Sequence, residues 1–144
     1  MSKEEPFDRM VTLVLRGGGG HAVWGQRGSM RTRSFDERRF KKALWEYWGQ
    51  DADSMRVSLA VQDAVFVSGV MRTVTEHLAL GADDQRRAAA AVVRGRLLGE
   101  PQPGFADVDA AWRSWWPPPP GDDARALFAK FIDAWRDWLA ASQQ

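Results

Sequence analysis

Apolar residues recur at the spacing of an α-helix along most of this chain, and most clearly over its last segment. Asp122 and Asp123 stand where that helix would begin, and negative charge is favourable in a first turn. The apolar residues that share one face of it are Leu127, Phe128, Phe131, Ile132, Trp135, Trp138 and Leu139. A stripe this wide must pack against other elements, so it predicts a fold built by helices packing on helices.

Further helices are predicted upstream from the same periodicity. Their expected ranges are 35–48, 57–80, 85–98 and 107–116. Ser34 and Glu37 have the spacing of a capping box, in which each side chain satisfies a free amide at a helix start. The prolines at 117–120 must end the helix before them, and they predict a stiff connector.

The range 57–80 allows two interpretations. Val57, Leu59 and Val61 alternate as in a strand, whereas a wider window has apolar residues at helical spacing. We favour one long, largely buried helix that ends near Leu80. A hairpin that turns around Gln62 to Ala64 remains the alternative, because valine and glycine are weak helix formers.

The N-terminal part predicts a small β-hairpin over residues 10–26. Met10 to Leu15 is a short alternating run that contains β-branched residues, and Ala22 to Trp24 offers a return strand. The four glycines at 17–20 would form the tip. They do not predict a phosphate-binding loop, because no Lys-Ser or Lys-Thr pair follows them.

Together these elements predict a mainly α protein of one domain, residues 1–144. The expected architecture is the hairpin 10–26 packed on a bundle of four or five helices over 34–141, with the connector 117–120 before the last helix. The 144 residues are 44% hydrophobic and include eight Trp, which is enough apolar surface for a core without covalent cross-links.

The composition argues against catalysis and against metal or cofactor binding. The chain has no Cys, which excludes thiolate chemistry and disulfides and favours the cytoplasm. The charged N-terminus does not read as a signal peptide, and we expect no membrane segment. His21 and His77 have no carboxylate at ligand spacing. The paired aspartates stand at predicted helix starts, where capping explains them. We therefore predict a protein that is not an enzyme.

Positive charge is concentrated near the front of the chain. Residues 16–42 contain eight basic residues against two acidic ones, a net of +6, whereas residues 43–144 carry ten against fourteen, a net of −4. The candidate binding residues are Arg16, Arg27, Arg31, Arg33, Arg38, Arg39 and Lys42. They predict a site for an acidic protein or for the backbone of RNA or DNA. The alternative is a solvated face, or one paired with the protein's own carboxylates.

Tryptophan supplies the second candidate surface. Trp112, Trp115 and Trp116 have the spacing of core residues. Together with Trp135 and Trp138, however, they exceed the aromatic area that a small bundle needs, and we predict that they also dock a partner. The favoured hypothesis is a non-catalytic module that binds another protein subunit, or a second copy of itself, through its Trp-rich and Arg-rich surface. The alternative is a nucleic-acid-binding protein that uses residues 16–42.

Overall fold

The computed structural model describes residues 2–17, 35–100, 102–117 and 123–141, and within these ranges the secondary structure is helical. The mainly α prediction is confirmed, but the described residues form six α-helices rather than four or five. The helices are α1 Glu4–Arg16, α2 Glu37–Trp48, α3 Ser54–Leu78, α4 Ala82–Val92, α5 Ala106–Trp115 and α6 Ala124–Ala141. A single 3-10 turn, Gly49–Asp51, joins α2 to α3.

The predicted N-terminal strand is wrong, because Met10 to Leu15 lies inside α1. The buried residues of α1 include Phe7, Met10, Val11 and Val14, which follow the i, i+3, i+4, i+7 spacing of a helix. A six-residue window sees only the alternation of Val11, Leu13 and Leu15 and misses this longer period. No strand occurs in the described ranges, and the return strand predicted at 22–24 lies outside them.

The long central helix is confirmed as α3, and residues 62–64, where a hairpin turn was the alternative, continue the helix. Asp53 caps its start by accepting a hydrogen bond of 2.8 Å from the backbone N–H of Arg56. α3 contacts α1, α2, α4 and α6. Its valines are weak helix formers, but Val57, Val67 and Val74 are fully buried, so tertiary packing outweighs local propensity here.

By length and composition α3 could also cross a membrane. Its most apolar window has a mean hydropathy of 1.3, and 56% of that window is buried inside the protein. Core helices of helical bundles meet the same criterion, so one such helix is weak evidence for a membrane span. No other helix in the described residues meets it.

The helix predicted over 85–98 consists of α4 and a π-helical turn, Val93–Leu97. Within this turn the backbone N–H of Leu98 donates to the carbonyl of Val93 at 2.9 Å, which is the five-residue spacing of a π-helix. Such turns widen the helix locally. Arg96 lies within this turn.

The last two helices form an aromatic hairpin that packs on α3 through α6. The C-terminal helix α6 packs against the Trp112–Trp116 segment. Trp115 stacks on Phe131 with ring centroids 4.7 Å apart, and Trp112 meets the same ring edge-on at 5.1 Å. Phe105, just before α5, contacts Trp135 at 5.3 Å. These contacts place most of the tryptophan area inside the protein.

Gly17 allows α1 and the start of α2 to approach closely, and we expect Gly17→Ala to destabilise the protein. A Cβ at Gly17 would lie 2.6 Å from Cδ1 of Phe35 and 3.0 Å from its Cα. We expect a loss of about 1–3 kcal/mol in the free energy of unfolding, measured by urea denaturation. The matched control is Gly95→Ala, because there the nearest atom would be 3.7 Å away. Equal stability of the two variants would contradict the close approach.

Tyr47 links α2 to the segment after the π-helical turn, and we expect this link to depend on pH. Its hydroxyl donates to Oε2 of Glu100 at 2.7 Å, and burial, followed by this bond, raises the pKa of Tyr47 above its ordinary 10.0. The folded state therefore favours the protonated phenol. Its stabilising contribution is complete below pH 10.0 and is lost as the pH rises through the higher folded pKa.

Tyr47→Phe tests this dependence, and no other tyrosine interferes because the chain has only one. We expect the free energy of unfolding to fall by about 1–2 kcal/mol at neutral pH, since a hydrogen bond to a charged group is lost. Above pH 10 we expect the variant to lose less stability than the original protein. A similar alkaline slope in both proteins would contradict the assignment.

Candidate functional site

Helix α2 presents most of its charge to solvent because its apolar residues face the core. Phe40, Ala43, Leu44, Tyr47 and Trp48 are buried against α1 and α3. The remaining exposed residues are Glu37, Arg38, Arg39, Lys41, Lys42, Trp45 and Glu46. Asp36 rather than Ser34 caps the helix, accepting a bond of 3.0 Å from the backbone N–H of Arg39. Ser34 lies outside the described residues.

The four cations of α2 differ in how well they are neutralised. Arg39 lies 3.5 Å from a carboxylate oxygen of Asp36, and Lys42 lies 4.0 Å from one of Glu46. Arg38 and Lys41 are exposed and have no carboxylate within 4.0 Å among the residues that the structure describes. Such exposed pairs contribute little to stability. The positive charge of this helix therefore has no evident structural purpose.

Trp45 continues the row of cations on the same exposed face. It follows Lys41 by four residues and Lys42 by three, so the three side chains are neighbours on the helix surface. Its exposed fraction is 39%, although tryptophan is usually well buried. Trp45 and Lys41 were not predicted as site residues. Their place beside Arg38 and Lys42 on one helix face was present in the sequence as the spacing i, i+3, i+4, i+7 of Arg38, Lys41, Lys42 and Trp45.

Two grooves of about 380 Å³ each border this row of cations, one on either side of α2. The α1–α2 groove is lined by Asp8, Arg9, Thr12, Leu13, Arg16, Arg39 and Lys42. The α2–α3 groove is lined by Glu37, Arg38, Lys41, Ser58, Val61 and Gln62. Both grooves are therefore open to an acidic ligand that approaches α2.

Across the α2–α3 groove, α3 exposes two large apolar side chains. Met55 is 72% exposed and Leu59 is 57% exposed. Met55 stands one helical turn before Ser58, and Leu59 stands one turn before Gln62; Ser58 and Gln62 line the groove. The resulting surface, here named the α2–α3 face, comprises Arg38, Lys41, Lys42, Trp45, Met55, Ser58, Leu59 and Gln62. One edge of it is cationic and the other is apolar.

The structure unites only part of the predicted basic site. Arg38, Arg39 and Lys42 share the exposed side of α2, as the helical period predicts, and Arg16 lines the α1–α2 groove. Arg27, Arg31 and Arg33 lie outside the described residues. Arg9 was not predicted; it joins this groove while bridging Glu5 of α1 and Glu46 of α2. These two bonds raise the pKa of Arg9.

The predicted Trp docking surface needs correction. Trp112 and Trp115 are buried against α6, with exposed fractions of 0% and 5%, so they are core residues and cannot contact a partner. Trp116 is 36% exposed and stacks on Phe66 of α3 at 5.5 Å. The sequence pattern did not show how much tryptophan surface α6 would cover, because α5 and α6 bury aromatic rings against each other.

The described residues offer no assembled catalytic or metal site. They contain no group of three His, Cys, Asp or Glu residues that could hold a metal ion. His77 is exposed, and its Nδ1 lies 3.1 Å from the carbonyl of Thr73. A cleft of about 670 Å³ lies between the start of α5 and α6. Its lining includes Asp107, Asp133, Asp137 and Lys130 but neither a histidine nor a hydroxyl nucleophile. The absence of catalysis and of a cofactor stays a prediction.

The chain matches no known protein family, and neither a curated protein nor a solved structure is significantly similar to it. The function is therefore argued from the site itself. What the α2–α3 face offers is uncompensated positive charge beside exposed apolar side chains. Both are features of binding surfaces rather than of reaction centres.

We expect the cations of this face to be dispensable for folding. Arg38→Gln with Lys41→Gln should change the free energy of unfolding by less than about 0.5 kcal/mol, because neither side chain has a carboxylate partner among the described residues. Phe40→Ala, on the buried side of the same helix, should cost about 3–5 kcal/mol. Urea denaturation measures both. A large loss in the double variant would mean that these cations are structural.

Proposed function

We propose that this protein is a non-catalytic interaction module that binds an acidic, amphipathic segment of another protein subunit through the α2–α3 face. One observation carries the proposal. Arg38 and Lys41, without carboxylate partners in the described part of the chain, line a groove with Ser58 and Gln62, which stand one helical turn from the exposed Met55 and Leu59 respectively. The cytoplasm remains the proposed compartment, in line with the absence of Cys.

Charge and exposed apolar area together favour a protein partner. An acidic side chain would neutralise Arg38 or Lys41, and apolar side chains of the same segment would cover Met55 and Leu59. Removing these two large side chains from water favours the binding of a protein partner. A charged face that stays in water gains no free energy from burial of apolar surface. Tryptophan and arginine are also the residues that most often dominate binding at protein interfaces.

Nucleic-acid binding is the second candidate, and the row Arg38, Lys41, Lys42 and Trp45 favours it. Arg38 lies one helical turn from Lys41 and Lys42, so these cations can follow phosphates, and an exposed indole can stack on a base. The α1–α2 groove extends the positive surface with Arg16 and Arg39. A phosphate backbone, however, has no use for Met55 and Leu59, whose exposure then stays unexplained.

The two candidates respond differently to two double variants. The probes are a fluorescent amphipathic peptide with glutamates on its polar face and leucines on the other, and a fluorescent single-stranded RNA, each titrated by anisotropy at several salt concentrations. The charge variant is Arg38→Glu with Lys41→Glu, and the apolar variant is Met55→Ser with Leu59→Ser. The control, Arg125→Glu with Lys130→Glu, reverses two exposed cations on α6.

For a protein partner, we expect both α2–α3 variants to weaken peptide binding by about tenfold or more, and the control to have no effect. For a nucleic acid, only the charge variant should weaken RNA binding. Arg38→Ala with Lys42→Ala should then flatten the dependence of log affinity on log salt by about one to two. The site is refuted if neither probe binds, or if the control variant weakens binding as much as the α2–α3 variants do. If sedimentation shows that the protein self-associates through this face, the proposed partner becomes a second copy of the same chain.

A further inference from the structure

A second cleft lies where α3 meets the π-helical turn Val93–Leu97. It has a volume of about 250 Å³, and its lining includes Arg56, Asp63 and Arg96 together with Trp48, Leu59 and Leu97. Two arginines therefore share a small recess whose walls are largely apolar. Its cations are different residues from those of the α2–α3 face, although Leu59 belongs to both surfaces.

Arg96 is the more unusual of the two arginines. Its guanidinium lies 4.1 Å from the centroid of the Trp112 ring, and its Nε atom is buried without a hydrogen-bond partner. In the described residues no carboxylate lies within 4.0 Å of it. Burial lowers the pKa of Arg96, and Asp63 and Asp109 oppose this effect from a distance. A mostly buried guanidinium without a carboxylate beside it is costly, and an anion in the cleft would offset that cost by pairing with its charge.

Arg56 also has donors to spare. Its guanidinium lies over the ring of Trp48 at 3.8 Å, and Nη1 donates to the backbone carbonyl of Asp51 at 3.2 Å. Among the described residues, no other hydrogen-bond acceptor contacts the Arg56 side chain. Guanidinium groups held flat on aromatic rings keep their N–H edges available, and those edges match the two oxygens of a carboxylate.

The charges in the cleft select the type of anion. Arg56 and Arg96 are opposed by Asp63, which leaves a net of +1 among the lining residues. More distant Asp109 and Arg113 act on Arg96 in opposite directions. A monoanion balances this charge, whereas a phosphate dianion exceeds it and also meets repulsion from Asp63. Leu59, Leu97 and Trp48 provide apolar contact for the rest of the ligand.

We propose that this cleft binds a carboxylate group carried on a short apolar chain, with Arg96 and Arg56 donating hydrogen bonds to its two oxygens. Two sources have this chemistry: a free monocarboxylic acid, and the C-terminal carboxylate of a polypeptide that ends in an apolar residue. Both would place the charged group between the arginines and the apolar part against the leucines.

Titration with hexanoate, acetate and inorganic phosphate at constant ionic strength tests the proposal on the full chain. Binding is followed by NMR through the Nε–H resonance of Arg96 and by calorimetry. We expect saturable binding of hexanoate that shifts this resonance, weaker binding of acetate because it lacks the apolar chain, and the weakest binding of phosphate. A short peptide ending in leucine, compared with its C-terminal amide, distinguishes the two sources: a peptide that binds more tightly than hexanoate indicates a polypeptide terminus, and the reverse order indicates a free acid.

Three single variants assign the effect to the cleft. We expect Arg96→Gln and Arg56→Gln each to weaken hexanoate binding by about tenfold or more, because each removes a charged hydrogen bond. Arg125→Gln on the exposed side of α6 is the control and should bind hexanoate normally, because Arg125 neither lines the cleft nor acts on Arg96. Arg56 is exposed, so Arg56→Gln remains informative if Arg96→Gln does not fold.

Several results would overturn the proposal. The first is the absence of a saturable shift of the Arg96 Nε–H resonance with hexanoate. The second is tighter binding of phosphate than of hexanoate, and the third is an equal loss of affinity in Arg125→Gln. Normal hexanoate binding by a folded Arg56→Gln variant would also overturn it. None of these measurements uses the peptide or the RNA that tests the α2–α3 face, so the two proposals can fail separately.

Discussion

Burial of α3 among four other helices is the constraint on which the rest of the structure depends. Small residues such as Ala60, Ala64 and Ser68 line the buried side of this helix, which is 25 residues long. They let neighbouring backbones approach closely enough for the hydroxyl of Ser68 to reach the carbonyl of Val14 in α1 at 2.9 Å. Because α3 takes up the apolar faces of α1, α2, α4 and α6, the charged faces of those helices are left to solvent.

Both candidate sites follow from this arrangement. α2 buries Phe40 and Leu44, so its cations and Trp45 must face outward beside the exposed start of α3. On another side of α3, the π-helical turn brings Arg96 over Trp112, where its Nε atom is buried without an acceptor. The first site gathers charge at the surface, and the second holds charge within an apolar recess. Their expected ligands differ for that reason.

Much of the fold could be predicted from periodicity, and the errors have physical causes. α2, α3 and α6 were predicted because their apolar residues repeat at helical spacing over three or more turns. α1 was mistaken for a strand because the window began at Met10 and omitted Phe7. The exposure of Arg38, Arg39 and Lys42 was predicted from the same period. The burial of Trp112 and Trp115 was not, since a single helix pattern does not measure the area that its partners supply.

By itself, the sequence determined which residues each helix must bury, since an α-helix has one fixed period and the removal of its apolar stripe from water is favourable. It therefore also determined that α2 would show cations to solvent. Only the tertiary structure decided which faces meet across helices. Ser58 and Gln62 share a groove with Arg38 and Lys41, and Arg56 shares a cleft with Arg96, because helices distant in the chain pack at particular positions along α3. That packing depends on the fit of many side chains at once, which no local pattern records.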